Sequence, residues 1–262
     1  MHVDMSGKVA IVTGASRGIG AAVARAFRAA GADVAVAARD AEALDRLAGE
    51  LGADDGHALA VPTDVSDADA VAQMVRRTVE RFGRLDYACN NAAGGGHPPT
   101  PLAEVALDAF DSGVAVNLRG VFVSMREEIP AIVRSGGGAI VNMSSTAGLQ
   151  AVGGLASYVA AKHGVEGLTK VAALDYAGHG VRVNALAPGP ILTDNLRRAG
   201  TAGLQAAARA MPLGRVGEPG EVADAVVWLC SEAAGFITGT TLAIDGGKLA
   251  GTPPFRVTAG PR

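Results

Sequence analysis

Three side chains able to hold or move a proton stand close together in mid-chain: Ser145, Tyr158 and Lys162. Tyr158 and Lys162 are four residues apart in Ser157-Tyr-Val-Ala-Ala-Lys-His, whose residues favour or tolerate helix. Side chains at i and i+4 share one helix face, so the phenol and the ammonium can point into the same space. A nearby cation favours phenolate and lowers a pKa that starts near ~10. General acid–base chemistry works best when that pKa approaches the working pH. Alone, a Tyr-x-x-x-Lys pair would read as a surface lysine beside a half-buried aromatic. A second element elsewhere in the chain argues for chemistry instead.

That element opens the sequence. Lys8-Val-Ala-Ile-Val-Thr13 is a short apolar run rich in β-branched residues, as expected of a strand buried on both faces. It leads into Gly14-Ala-Ser16-Arg17-Gly18-Ile19-Gly20 and then a helix-forming stretch that stops at Gly31. Strand, glycine turn and helix together place backbone N–H groups and the helix dipole against a phosphate. Gly14 permits the tight turn, Gly18 close approach of a cofactor, and Gly20 close packing of helix on strand.

The elements needed to position these residues alternate along the chain. Strands are expected at Val9–Val12, Asp33–Ala37, His57–Pro62, Tyr87–Asn90, Ala139–Met143, Val181–Ala187 and Thr241–Ile244. Helices are expected at Gly18–Ala30, Ala41–Leu51, Asp67–Phe82, Leu107–Ser135, Ser157–Ala177 and Glu218–Ser231. Such βα alternation implies a three-layer, doubly wound parallel sheet of seven strands with right-handed crossovers. No linker divides residues 1–262, which read as one α/β domain with an irregular tail over 249–262. Apolar residues make up 49% and aromatics only 4%, so Ala, Val, Leu and Gly must build the core. Two cysteines, Cys89 and Cys230, sit in apolar contexts and read as buried thiols of a reducing cytosol. The formal charge of −3 without basic clusters argues against nucleic-acid binding, and no stretch reaches membrane-spanning length. No histidine stands at metal-site spacing, so no metal is expected.

The spacing G-x-x-x-G-x-G, together with Ser145, Tyr158 and Lys162, resembles the short-chain dehydrogenase/reductase family in its single-domain Rossmann form. The resemblance runs from about Lys8 to Gly247 and includes Asp64-Val65, Asn90-Asn91-Ala92-Ala93-Gly94, Asn117 and Pro188-Gly189-Pro-Ile-Leu-Thr193. Ala93 departs from the glycine usual in that family. The resemblance implies a nicotinamide cofactor held by Gly14, Ser16, Arg17, Gly18, Ile19 and Gly20. It puts Asp64 and Val65 at the adenine, Asn91 and Ala92 beside the adenosine ribose, and Pro188, Gly189, Ile191 and Thr193 over the nicotinamide. It implies that Tyr158 is the proton donor, that Ser145 holds the substrate oxygen, and that Lys162 holds the nicotinamide ribose. Asn117 would anchor a water linking Lys162 to solvent, Asn90 would brace the sheet, and Ser144 would bond backbone. A homotetramer in the cytoplasm is implied as well, with a dimer as the alternative.

NADP(H) is favoured over NAD(H). The family position that carries a ribose-binding acid falls eighteen residues after Gly20, at Ala38, and Arg39 follows it. Arg39 and Arg17 could make charge-assisted contacts with a 2′-phosphate. The competing reading makes Asp40 the ribose ligand of an NAD enzyme, against Asp40 as N-cap of the helix at Ala41. The substrate wall is expected from Gln150, Ala151, Val152, Leu155, Asp194–Leu213 and the Gly94–Pro101 loop, which suits a neutral or moderately apolar ketone or secondary alcohol. A catalytically idle cofactor sensor, or an epimerase or dehydratase, could share this fold.

Overall fold

The computed structural model describes residues 3–251. Seven strands form one sheet in the order β3-β2-β1-β4-β5-β6-β7. They are β1 (Val9–Thr13), β2 (Asp33–Ala38), β3 (Ala58–Pro62), β4 (Tyr87–Asn90), β5 (Gly138–Met143), β6 (Val181–Pro188) and β7 (Thr241–Ile244). Every neighbouring pair is parallel. Only the central strands are covered on both faces, and β1 shows why its sequence carries no polar alternation: all five of its residues are buried. Ala10 and Val12 face one core with Phe27, Leu44 and Val226, whereas Val9 and Ile11 face another with Met74, Ile132 and Val165.

Those two cores are the two helical layers. Helices α1 (Gly18–Ala29), α2 (Ala41–Glu50) and α9 (Pro219–Cys230) supply the first, and α3 (Ala68–Phe82), α5 (Gly120–Arg134) and α6 (Ala156–Tyr176) the second. Their starts follow local chemistry. Asp40 caps α2 through Ala43 N (3.1 Å), and Asp67 caps α3 through Asp69 N (2.9 Å) and Ala70 N (3.3 Å). Gly83, with φ +80°, ends α3 in the left-handed region.

Two expectations are corrected. The helix expected over Leu107–Ser135 is α4 (Leu107–Val114), a π-helical turn at Ala115–Arg119, and then α5. The stretch Asp194–Leu213, expected only as a wall segment, contains helices α7 (Asp194–Arg197) and α8 (Gly200–Arg209). Residues 252–262 of the tail lie outside the described residues.

The strand order reverses direction between β1 and β4: from β1 the chain builds outward to β2 and β3, then returns to the other side. The crevice beyond the carboxyl ends of these two strands is where doubly wound sheets bind ligands. At the opposite end of β4, the buried Asp86 carboxylate joins Val9 N (3.0 Å), Arg84 (2.6 and 2.7 Å) and Lys8 (3.3 Å). Polar chemistry is thus present at both ends of the sheet, and the carboxyl end opens into a cavity bordered by Gly14.

Candidate active site

The first part of the site is built on the turn after β1. Gly14 and Gly18 have φ of +65° and +57°, which L side chains rarely adopt. A Cβ at Gly20 would lie 2.3 Å from the Gly14 carbonyl oxygen, so the turn folds back on its own helix only without one. Thr13 and Asn91 lock this turn to the end of β4. Thr13 Oγ1 accepts from Asn91 N (3.0 Å) and Ala92 N (3.1 Å), and Asn91 Nδ2 donates to Thr13 O (3.0 Å) and Gly14 O (3.2 Å). Asn91 therefore braces the turn with its amide, while Ala92 lines the cavity. Thr193 reaches over Gly18, where an added Cβ would meet its methyl group at 3.2 Å.

The N-cap of α1, Arg17, makes no side-chain cap, which leaves the N-terminal N–H groups of that helix available to an anion. Beside them opens a cavity of about 330 Å³, lined among others by Gly14, Ser16, Arg17, Ala38, Arg39, Asp64, Val65 and Ala92. Two hydrogen bonds from Ser66, from its hydroxyl (2.7 Å) and backbone N–H (2.9 Å), hold the Asp64 carboxyl below its ordinary pKa, and the Arg39 charge adds to this. Asp40 borders the cavity, but its Oδ1 is the cap of α2. The cradle, free helix N-terminus and two arginines fit the phosphates of a dinucleotide.

The second part lies beyond β5. Ser145 follows that strand, and its Oγ accepts from Ala147 N at 3.1 Å. Lys162 is among the most buried side chains of the protein, at 1% exposure. Its Nζ donates to Met143 O (2.7 Å) and stands 5.6 Å from the centre of the Tyr158 ring. Burial lowers the Lys162 pKa to about 8, against the opposing charge of Glu166 one turn along α6. Burial raises the Tyr158 pKa, and a hydrogen bond with Ser145 pulls it the other way. This corrects the expectation that Lys162 lowers the phenol: in this arrangement Ser145 opposes the burial, and the ammonium is engaged by a carbonyl.

Asn117 sits in the π turn, 2% exposed, which is how an asparagine ill suited to an α-helix interior occupies this run. Its Nδ2 donates to Gly94 O (2.6 Å) and Gly113 O (2.8 Å), and its Oδ1 accepts from Gly94 N (3.4 Å). Below it, Asn90 Nδ2 donates to Glu128 Oε2 (3.0 Å) and Asn142 Oδ1 (3.1 Å), so Asn90 does brace β4 against β5 and α5. Ser144 departs from expectation. Its backbone N–H donates to Leu186 O, but its buried hydroxyl has no hydrogen-bond partner among the described residues.

The third part follows β6, which ends at Pro188. Gly189 N donates to Ile244 O (2.9 Å), and a Cβ there would lie 2.9 Å from Asp245 Cα. Ile191 is buried and bridges Gly217, and Thr193 stands at the N-cap position of α7 without a side-chain capping bond. Of the expected substrate wall, Ala151 and Val152 line an apolar cleft with Leu102, Phe110, Val159 and Ala160, to which Tyr158 does not contribute. Sequence reasoning passed over His97 and Glu128. The histidine lay in the Gly94–Pro101 loop, expected only as part of the substrate wall, and the acid lay in a helix whose buried face could have flagged it.

A family model described as enoyl-(acyl carrier protein) reductase matches residues 14–248. The chain belongs to the short-chain dehydrogenase/reductase family. It is 45% identical over 247 residues to the A-factor type gamma-butyrolactone 1'-reductase (1S-forming) of Streptomyces virginiae, covering 93% of this chain and 96% of that one. A short chain dehydrogenase/reductase of Aspergillus oryzae is 42% identical over 251 residues (93% and 95%). The cyclohexanol dehydrogenase of Acinetobacter sp. is 39% identical over 246 residues (94% and 96%). The protein is accordingly an NAD(P)-dependent oxidoreductase acting on CH–OH groups and the corresponding carbonyls. No helix among the described residues is long and apolar enough to cross a membrane.

Proposed function

We propose that the protein interconverts a neutral or moderately apolar ketone and its secondary alcohol, with Tyr158 as proton donor to the carbonyl oxygen. The observation that carries this reading is the convergence of Ser145, Tyr158 and Lys162 beyond β5, with the ammonium 5.6 Å from the phenol ring. The bound nicotinamide supplies or accepts the hydride at the carbonyl carbon. Ser145 holds the substrate oxygen, and its hydroxyl opposes the burial of the phenol. Lys162 holds the nicotinamide ribose. Asn117, buried in the π turn, links that lysine to solvent through water. Asp64 and Val65 receive the adenine, Ala92 borders the adenosine ribose, and Pro188, Gly189, Ile191 and Thr193 cover the nicotinamide.

NADP(H) is the preferred cofactor in this reading. Arg17 and Arg39 border the cavity at β2, Ala38 stands where an acid would repel a 2′-phosphate, and Asp40 is engaged as a helix cap. Relatives named for a gamma-butyrolactone and for cyclohexanol support an uncharged substrate. Residues 1–262 act as one catalytic domain, cytoplasmic and assembled as a homotetramer. Phe122, Val171 and Leu174 are 49%, 55% and 82% exposed on α5 and α6, Leu242 is exposed on edge strand β7 and Phe236 just before it. A panel of ketones and alcohols offered with each cofactor, followed at the nicotinamide absorbance, tests the function. Tighter binding of NADH than NADPH overturns the cofactor choice, and light scattering giving the mass of one chain overturns the assembly.

A further inference from the structure

The loop from Gly94 to Thr100 is tied down at three points. Asn117 holds its start through Gly94, and Thr100 N donates to Gly154 O (3.0 Å) at its end. Its middle is held by His97. The ring Nδ1 lies 2.9 Å from Pro98 O, and Nε2 lies 3.4 Å from Ser157 N. A carbonyl can only accept and a backbone N–H can only donate, so Nδ1 carries the proton and Nε2 is the acceptor.

Ser157 is the second residue of α6, and the helix has no side-chain cap from its own N-cap residue, Leu155. His97 therefore satisfies one of the N–H groups left over in the first turn, from a loop sixty residues away. The next residue is Tyr158. The fit around this contact leaves little space: a Cβ at Gly96 (φ +88°) would lie 3.0 Å from Ser157 Oγ, and one at Gly113 would lie 2.5 Å from it. At Gly95 (φ +67°) a Cβ would lie 2.6 Å from Ser112 O. The loop is thus pressed between α4 and the start of α6 by three glycine contacts, which sets where His97 stands.

We propose that His97 is a positioning residue for catalysis: by accepting from the Ser157 N–H, its Nε2 fixes the first turn of α6 and the direction of the Tyr158 phenol. The proposal rests on the reading of Tyr158 as proton donor. It also gives the loop a second duty, since one short segment then connects Asn117 to the helix that bears Tyr158 and Lys162.

The test compares His97→Leu, which keeps bulk without an acceptor, with His97→Gln, whose amide oxygen reaches the place of Nε2. In the full chain, His97→Leu should lower kcat by about 5- to 10-fold, the scale of one lost helix cap. Cofactor affinity should stay within about twofold, since a bond at the N–H of Ser157 is remote from the adenosine cavity. His97→Gln should restore kcat to within about twofold of the unmutated protein. Unchanged kcat in His97→Leu, or an equal loss in both variants, overturns the proposal. If His97→Leu does not fold, His97→Asn replaces it, being too short to reach; turnover equal to that of His97→Gln then overturns the idea. Amide exchange separates this failure from that of the underlying reading. Faster exchange at Ser157 and Tyr158 in His97→Leu supports the cap and unchanged exchange refutes it, whereas Tyr158→Phe with normal turnover refutes only the proton-donor assignment.

Discussion

The two halves of the site use opposite physics. The cavity beyond β1 and β2 is bordered by exposed cations, Arg17 and Arg39, and by backbone N–H groups at the start of α1. The half beyond β5 hides its cation, with Lys162 buried at 1% exposure and its pKa lowered to about 8. An exposed guanidinium can be added or lost with little consequence for the fold, and it acts mainly through affinity for a phosphate. A buried ammonium is stabilised by few groups and destabilised by its burial, so it acts through the proton inventory of the site. Binding chemistry is thus separable from the fold here, and proton chemistry is embedded in it.

The sharpest way to break this contrast is Tyr158→Phe. Turnover should fall by roughly 10²-fold or more, the scale of a lost general acid, with cofactor affinity nearly unchanged. Steady-state rates and cofactor titration measure both, and near-normal turnover would remove the distinction.

Next in size is Glu128, wholly buried beneath the catalytic half, whose pKa burial pushes up from 4.5 to about 7 against the hydrogen bond from Asn90. Between these two values the folded protein binds the proton more tightly than the unfolded chain, so stability falls as pH rises from 4.5 to 7. Glu128→Gln, which keeps an acceptor for Asn90, should abolish that fall and gain about 3 kcal/mol at pH above 7 relative to acid. Denaturant midpoints across pH report it; an unchanged pH slope would refute the buried charge.

Arg39→Ala should weaken NADPH by roughly 10- to 100-fold, corresponding to about 1.5–3 kcal/mol for one charge-assisted contact. NADH affinity and thermal stability should hardly move, because Arg39 is exposed. A large loss of stability would show that this half, too, is built into the fold.

Much of this was legible in the sequence because the relevant signals are local. The expected strands lie within one residue of those observed; Thr13, Ala38, Gly138 and Pro188 extend four of them, and His57 falls outside β3. Buried β-branched runs announce themselves, as do caps such as Asp40. The glycine turn is equally local in its spacing and its backbone conformation, which seven residues carry. What escaped depends on contacts between distant segments. Spacing on a helix can bring Tyr158 and Lys162 together, but it cannot report how deeply either is buried, and burial decides the direction of the phenol pKa. Helix α7 is only four residues long, and α8, rich in Ala and Gly, has no buried residue, so no buried apolar run marks either. Asn91 was legible as a site residue, but its engagement with Thr13 and Gly14 needed β1 and β4 side by side.

The π turn at Ala115–Arg119 has a consequence for the gene as much as for the protein. Such a turn amounts to one residue inserted into an α-helix, so the run from α4 to α5 is one residue longer than its path requires. Point substitutions leave that surplus intact, whereas a three-base deletion within the turn would erase it. The helix would then close into regular α geometry with α4 and α5 still in register, and the wide turn that holds Asn117 would be lost. Asn117 would swing away from Gly94, and the loop that it anchors would lose its hold. Within this turn a changed length is thus as damaging as a changed Asn117.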